Sequence, residues 1–101
     1  MKTALITGAT SGIGKATAEL LAKNNWRLII CGRNVEVLSQ MKADLSVTTE
    51  IFTLNFDIRE FSQVEKAINS IPENWKKIDV LINNAGNAHG MDSLENGNID
   101  D

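Results

Sequence analysis

The apolar run Ala4-Leu5-Ile6 breaks into Thr7-Gly8-Ala9-Thr10-Ser11-Gly12-Ile13-Gly14, and residues of helical period follow at once. A buried strand, a Gly-rich turn and a helix opening in that order constrain the fold more than any other feature of the chain. Glycine tolerates positive φ and lets backbone N–H groups approach an anion closely. The helix that follows offers further N–H donors and the positive end of its dipole. Such a turn is either a phosphate cradle or a tight strand-to-helix connection with no ligand. The ATPase alternative fails on register. With Gly14-Lys15 at the end of a P-loop, its first Gly would fall on Ala9 and its Ser or Thr on Ala16.

The rest of the chain repeats the alternation. Leu28-Ile29-Ile30-Cys31 and Val80-Leu81-Ile82 are continuous apolar runs, as expected of strands buried on both faces. Ile51 to Phe56 alternates and suits a strand nearer the sheet edge. Three amphipathic helices are predicted between them. The first carries Ile13, Ala16, Thr17, Leu20 and Leu21 on its apolar side and ends at Asn24-Asn25. The second carries Val35, Leu38, Met41 and Leu45 behind Asn34 as N-cap. The third carries Phe61, Val64, Ile68 and Ile71, with Pro72 to stop it.

A β-α-β-α-β-α-β order implies an α/β fold, a Rossmann-like three-layer doubly wound parallel sheet. If strands 1, 2 and 3 run in one direction across the sheet, right-handed crossovers put the first two helices on one face, and the third crosses back over the other to lay strand 4 beside strand 1, the order 3-2-1-4. The reversal between strands 1 and 4 is a topological switch point, where open α/β sheets bind ligands. With a single helix on its second face, the sheet is expected to leave strands 1 and 4 largely bare there.

All four strands end in polar features that a parallel sheet brings to one crevice: Thr7-Gly8, Gly32-Arg33-Asn34, Asp57-Ile58 and Asn83-Asn84-Ala85-Gly86. Arg33 stands where an acidic residue usually accepts from the ribose hydroxyls of NAD, and the tip carries no carboxylate. A guanidinium forks onto a phosphate, so the reading favours NADP over NAD. Asp57 either accepts from an adenine amino group, with the Ile58 N–H as complementary donor, or caps a helix beginning near Glu60.

These residues together resemble the short-chain dehydrogenase/reductase family. Thr7 to Gly14 is similar to its glycine motif, Asn83-Asn84-Ala85-Gly86 to its strand-4 motif, and Asp57 holds its adenine position. The stretch Ile71 to Trp75 with Ile78-Asp79-Val80 looks like the NADP-dependent serine and 3-hydroxy acid dehydrogenases. The resemblance implies hydride exchange between nicotinamide C4 and an alcohol or carbonyl carbon. It implies cofactor contacts at Gly8, Ala9, Thr10, Ser11, Gly12, Ile13, Gly14, Arg33, Asn34, Asp57, Ile58, Asn84, Ala85 and Gly86. The family's catalytic Asn, Ser, Tyr and Lys have no counterpart here, and the chain contains no Tyr. Without that group it cannot perform the family's acid/base step, so no catalytic residue is assigned. The expectation is therefore the N-terminal NADP-binding half of a longer dehydrogenase, residues 1–101 forming one domain, with a Tyr-x-x-x-Lys motif downstream. The alternative is a dinucleotide-binding or interaction module that has lost its catalytic half.

The remaining residues exclude other classes. A net charge of −3 and a pI near 5.1 argue against nucleic acid and anionic membranes as partners. No apolar stretch approaches the roughly 20 residues of a bilayer span. A strand beginning almost at Met1 leaves no room for a signal peptide, and one Cys forbids an internal disulfide, so the expected compartment is the cytoplasm. Cys31 reads as a buried hydrophobe, His89 as a solvated loop residue rather than a metal ligand, and Trp26 and Trp75 as covers of the core edges. Asp92, Glu95, Asp100 and Asp101 read as a solvated acidic tail. An unfinished sheet with strand 4 at its edge predicts self-association.

Overall fold

The computed structural model describes residues 1–84. Expectations for Ala85, Gly86, His89, Asp92, Glu95, Asp100 and Asp101 lie outside these residues. Seven elements follow in the predicted order: β1 (Thr3–Thr7), α1 (Gly12–Lys23), β2 (Arg27–Gly32), α2 (Val35–Leu45), β3 (Ile51–Asn55), α3 (Phe61–Asn69) and β4 (Val80–Asn83). The sheet runs β3-β2-β1-β4 with every pairing parallel. Ile6 stands beside Ile30 on one side and Ile82 on the other, so the carboxyl ends of all four strands share one border.

Two apolar layers sandwich the sheet, as right-handed crossovers require. Ala4, Ile6, Leu28, Ile30 and Ile51 pack with Ala18 and Ala22 of α1 and Leu38 and Met41 of α2. Leu5, Ile29, Cys31, Leu54 and Phe56 pack with Val64 of α3 and with Ile71 and Trp75 beyond it. α3 ends at Asn69, so Ile71 reaches the core from the connection, not from the helix. Pro72 then opens a single 3-10 turn, Glu73–Trp75, that lays the indole across the layer. Trp75 stacks at 5.6 Å on Phe52, and the Arg27 guanidinium lies 3.9 Å from its ring centre. This cover corrects the expectation of a bare second face. Leu5 is fully buried, and Leu81 of β4 packs partly against the same cluster.

The buried stripe of α1 also differs from the predicted one. Ile13 is 75% and Leu20 61% exposed, while Gly14, Ala18 and Ala22 face the sheet. Exposing two branched side chains forgoes about 1.5–3 kcal/mol each. Contact at the turn overrides that preference. A Cβ at Gly14 would lie 2.1 Å from the Gly8 carbonyl oxygen and 2.9 Å from Ala9 Cα, inside any tolerable separation. Only the face without side-chain bulk at position 14 can meet the turn, and the small residues one and two turns later follow it inward. Val35 and Phe61 are likewise exposed rather than core-facing, each being the first residue of its helix.

Asn25 closes α1 with φ 65°, the left-handed conformation that Asn accepts more readily than most residues. Asn34 caps α2, its side-chain oxygen accepting from the Val37 N–H at 3.1 Å. Both agree with the sequence reading. Among the described residues, no helix is long and apolar enough to cross a membrane.

Candidate functional site

Gly8 has φ 61°, a conformation a side chain at that position would resist, and it turns the chain sharply out of β1. Ser11, which the sequence reading took only as a ligand contact, organises the turn. Its hydroxyl donates to the Gly8 carbonyl at 2.8 Å and accepts from the Gly14 N–H at 3.1 Å, capping α1. The N–H groups of Gly12 and Ile13, at the helix opening, have no intrahelical acceptor and are the donors an anion would meet.

The other strand ends converge on this turn. A Cβ at Gly32 would sit 3.0 Å from Thr10 Cγ2, so the glycine turn and the tip of β2 are in contact. Asn55 lies beside Gly32 in the β2–β3 register, and its side-chain amide donates to the Gly32 and Arg33 carbonyls at 3.0 and 2.9 Å. That brace fixes the backbone from which Arg33 projects. On the other flank, the Thr7 hydroxyl donates to Asn83 Oδ1 at 2.8 Å and the Asn84 N–H to the Thr7 carbonyl at 3.3 Å.

These groups border one cavity of about 780 Å³. Gly8, Thr10, Ser11, Arg33, Asn34, Asp57, Ile58 and Asn84 of the predicted set line it. Gly12, Ile13 and Gly14 open α1 beside it and are not lining residues, and the Gly14 N–H is already bonded. Ala9 faces the core, fully buried, with its N–H given to the Cys31 carbonyl at 3.0 Å. Cys31 lines the floor, and burial pushes its thiol far above its ordinary range.

Two charged residues that the sequence reading missed stand at the same rim. Glu36, in the first turn of α2, lines the cavity and supplies the carboxylate judged absent from this tip. Arg59 also lines it and binds Asp57 from three directions. Its backbone N–H and Nε donate to Asp57 Oδ1 at 3.0 and 3.1 Å, and a terminal nitrogen donates to Oδ2 at 3.0 Å. These bonds, with a smaller contribution from the Arg33 charge, hold the Asp57 carboxyl down at about 2. Asp57 therefore is not the cap of α3. Glu60 occupies that place without a side-chain bond, while the Asp57 N–H donates to Gln63 Oε1 at 2.9 Å. The signal available in sequence was Arg59 two residues after Asp57, the spacing of a local carboxylate turn.

Open amide donors at a helix start, a guanidinium and a half-exposed carboxylate around one crevice suit the adenosine end of a phosphorylated nucleotide. The geometry at Gly14 and the buried Asn84 Nδ2, which has no partner among the described residues, both fit a ligand meeting backbone and amide groups here. A doubly wound parallel sheet with this crevice at its switch point defines an α/β protein of the Rossmann-like class, in which ligands bind at that place. Residues 2–101 match the short chain dehydrogenase family, and the chain belongs to it.

Among its relatives, serine 3-dehydrogenase of Agrobacterium fabrum is 43% identical over 88 residues, 87% of this chain and 34% of the relative. The NADP-dependent 3-hydroxy acid dehydrogenase of Schizosaccharomyces pombe is 41% identical, covering 99% of this chain and 40% of the relative. The crystal structure of an alcohol dehydrogenase from Thermococcus sibiricus complexed with 5-hydroxy-NADP superposes with a TM-score of 0.75 and 32% identity. That superposition covers 80% of this chain and 35% of the other. The chain thus spans between a third and two fifths of the length of these relatives.

Proposed function

We propose that the chain is the NADP-binding half of a short-chain dehydrogenase/reductase that acts on an alcohol or carbonyl, with a 3-hydroxy acid or serine as the favoured substrate class. The observation that carries this reading is the meeting of the glycine turn and Arg33 at one cavity, through Thr10 against Gly32. The N–H groups of Gly12 and Ile13 would hold the pyrophosphate, Arg33 the 2′-phosphate, and Asp57 and Ile58 the adenine edge. Asn84, with Ala85 and Gly86 after it, would border the nicotinamide side. When bound, the dinucleotide supplies a hydride donor or acceptor at nicotinamide C4. Because the chain has no Tyr, it binds cofactor without turning over on its own. The cytoplasm and a homo-oligomeric whole protein complete the proposal, the first supported by the lone Cys and the second by the family resemblance alone, while the edge position of β4 among the described residues favours self-association of the chain without its C-terminal portion.

Fluorescence titration of the chain with NADPH and NADH tests it. NADPH is expected to bind more tightly, and Arg33→Ala to narrow the gap by about 10- to 100-fold, the range of a charge-assisted bond. Equal affinities before mutation would overturn the assignment.

A further inference from the structure

Four charged side chains line the cavity: Arg33, Arg59, Asp57 and Glu36. They do not share their charge evenly. Asp57 Oδ1 takes two donors from Arg59, which fills both of its lone-pair directions. Oδ2 takes a third donor from Arg59 at 3.0 Å, while Arg33 stands off at 3.8 Å, beyond hydrogen-bond distance. Three of the carboxylate's roughly four acceptor directions thus go to Arg59, two to its guanidinium and one to its backbone N–H, and Arg33 is left in a looser ion pair with its fork unspent. Arg33 is also the more useful of the two to a ligand. It springs from the backbone that Asn55 braces at the tip of β2, against the glycine turn.

We propose that Arg59 is a positioning residue for cofactor selectivity: by occupying the Asp57 carboxylate it keeps Arg33 free to receive a phosphate monoester. Without Arg59, Asp57 and Glu36 are two carboxylates facing a single guanidinium. Arg33 then closes the remaining gap to Oδ2 and pairs with Asp57 in place of the ligand. The adenine edge keeps its acceptor in either state, so the loss falls on a 2′-phosphorylated nucleotide and spares one that lacks the phosphate. This inference rests on the reading of the cavity as an NADP site.

The test is the ratio of NADH to NADPH dissociation constants, measured on the full chain for wild type, Arg59→Gln and the double variant Arg59→Gln/Asp57→Asn. Both ligands are titrated into the same sample, so partial unfolding lowers both signals together and leaves the ratio unmoved. The ratio is expected to fall about fivefold in Arg59→Gln, the upper end for a solvent-facing pair, and to recover in the double variant once the competing carboxylate is gone. A wild type that prefers NADPH and an Arg59→Gln variant that keeps that preference would overturn the role of Arg59 and leave the site reading intact. A fall that the double variant does not reverse means that Arg59 meets the phosphate itself, which also overturns the positioning role. A wild type indifferent to the 2′-phosphate removes both the site reading and this inference.

Discussion

Thr3 and Asp79 exchange hydrogen bonds across the join between β1 and the segment entering β4. The Thr3 N–H donates to Asp79 Oδ2 at 2.9 Å, and the Asp79 N–H donates to the Thr3 carbonyl at 2.8 Å. Thr3 is buried, and its N–H is held by the Asp79 carboxylate. Asp79→Ala removes that acceptor from a part-buried donor. A loss of about 1 kcal/mol is expected by urea denaturation, and an unchanged midpoint would mean that solvent replaces the carboxylate.

Gly14 and Gly12 sit two residues apart and should respond oppositely to the same substitution. Gly14→Ala drives a methyl group into the Gly8 carbonyl and should cost about 1–3 kcal/mol or more, with α1 displaced from the turn. Around Gly12 nothing lies within 4 Å of the added carbon. Gly12→Ala should therefore leave stability equal or higher by up to about 1 kcal/mol, while weakening nucleotide binding by crowding the approach to the turn. Thermal unfolding and nucleotide titration of the two variants separate the effects.

Asp57 makes stability depend on acid. Its folded carboxyl titrates at about 2 against an ordinary 3.8, so its contribution is complete above the ordinary value and disappears as pH falls through the folded one. Wild type should lose stability between roughly pH 4 and pH 2, and Asp57→Asn should flatten part of that slope. Carboxyl chemical shifts followed by NMR give the midpoint directly. A value near 4 would show that the Arg59 bonds do not persist in solution.

Cys31 tests the packing beneath the cavity. Its side chain is 1% exposed and its thiol is pushed up by burial, so little thiolate forms at neutral pH. Alkylation should be slow in the folded protein and fast in denaturant. Rapid labelling under native conditions would mean that the floor opens.

The strands were legible because runs such as Leu28 to Cys31 are long and uninterrupted, and the order of the sheet followed from crossover handedness once strands 1 to 3 were taken to run in one direction. Asn34 and Asn25 announced themselves because their chemistry is local. The face of α1 was misread because hydrophobic period favours Ile13 and Leu20, whereas close approach selects Gly14, Ala18 and Ala22. That stripe of small residues four apart was visible in the sequence and was outweighed by bulk. Asn55 and Arg59 escaped for a different reason. Their roles exist only once Asn55 is laid beside Gly32, and once the turn after β3 folds Asp57 back on its neighbour. No local pattern encodes the Asn55 brace, whereas the Arg59 partnership had a local signal in its spacing from Asp57.

The bond from Thr7 to Asn83 joins positions 76 residues apart, so the crevice lacks its Asn84 wall until the last described strand has docked against the first. Nascent or clipped chains that stop short of β4 would own the glycine turn and the Arg33 rim yet leave that side of the receptacle unbuilt. A small molecule seated there would thus discriminate finished sheets from unfinished ones, rewarding completion by mass action and acting as a proofreader of its own binding fold.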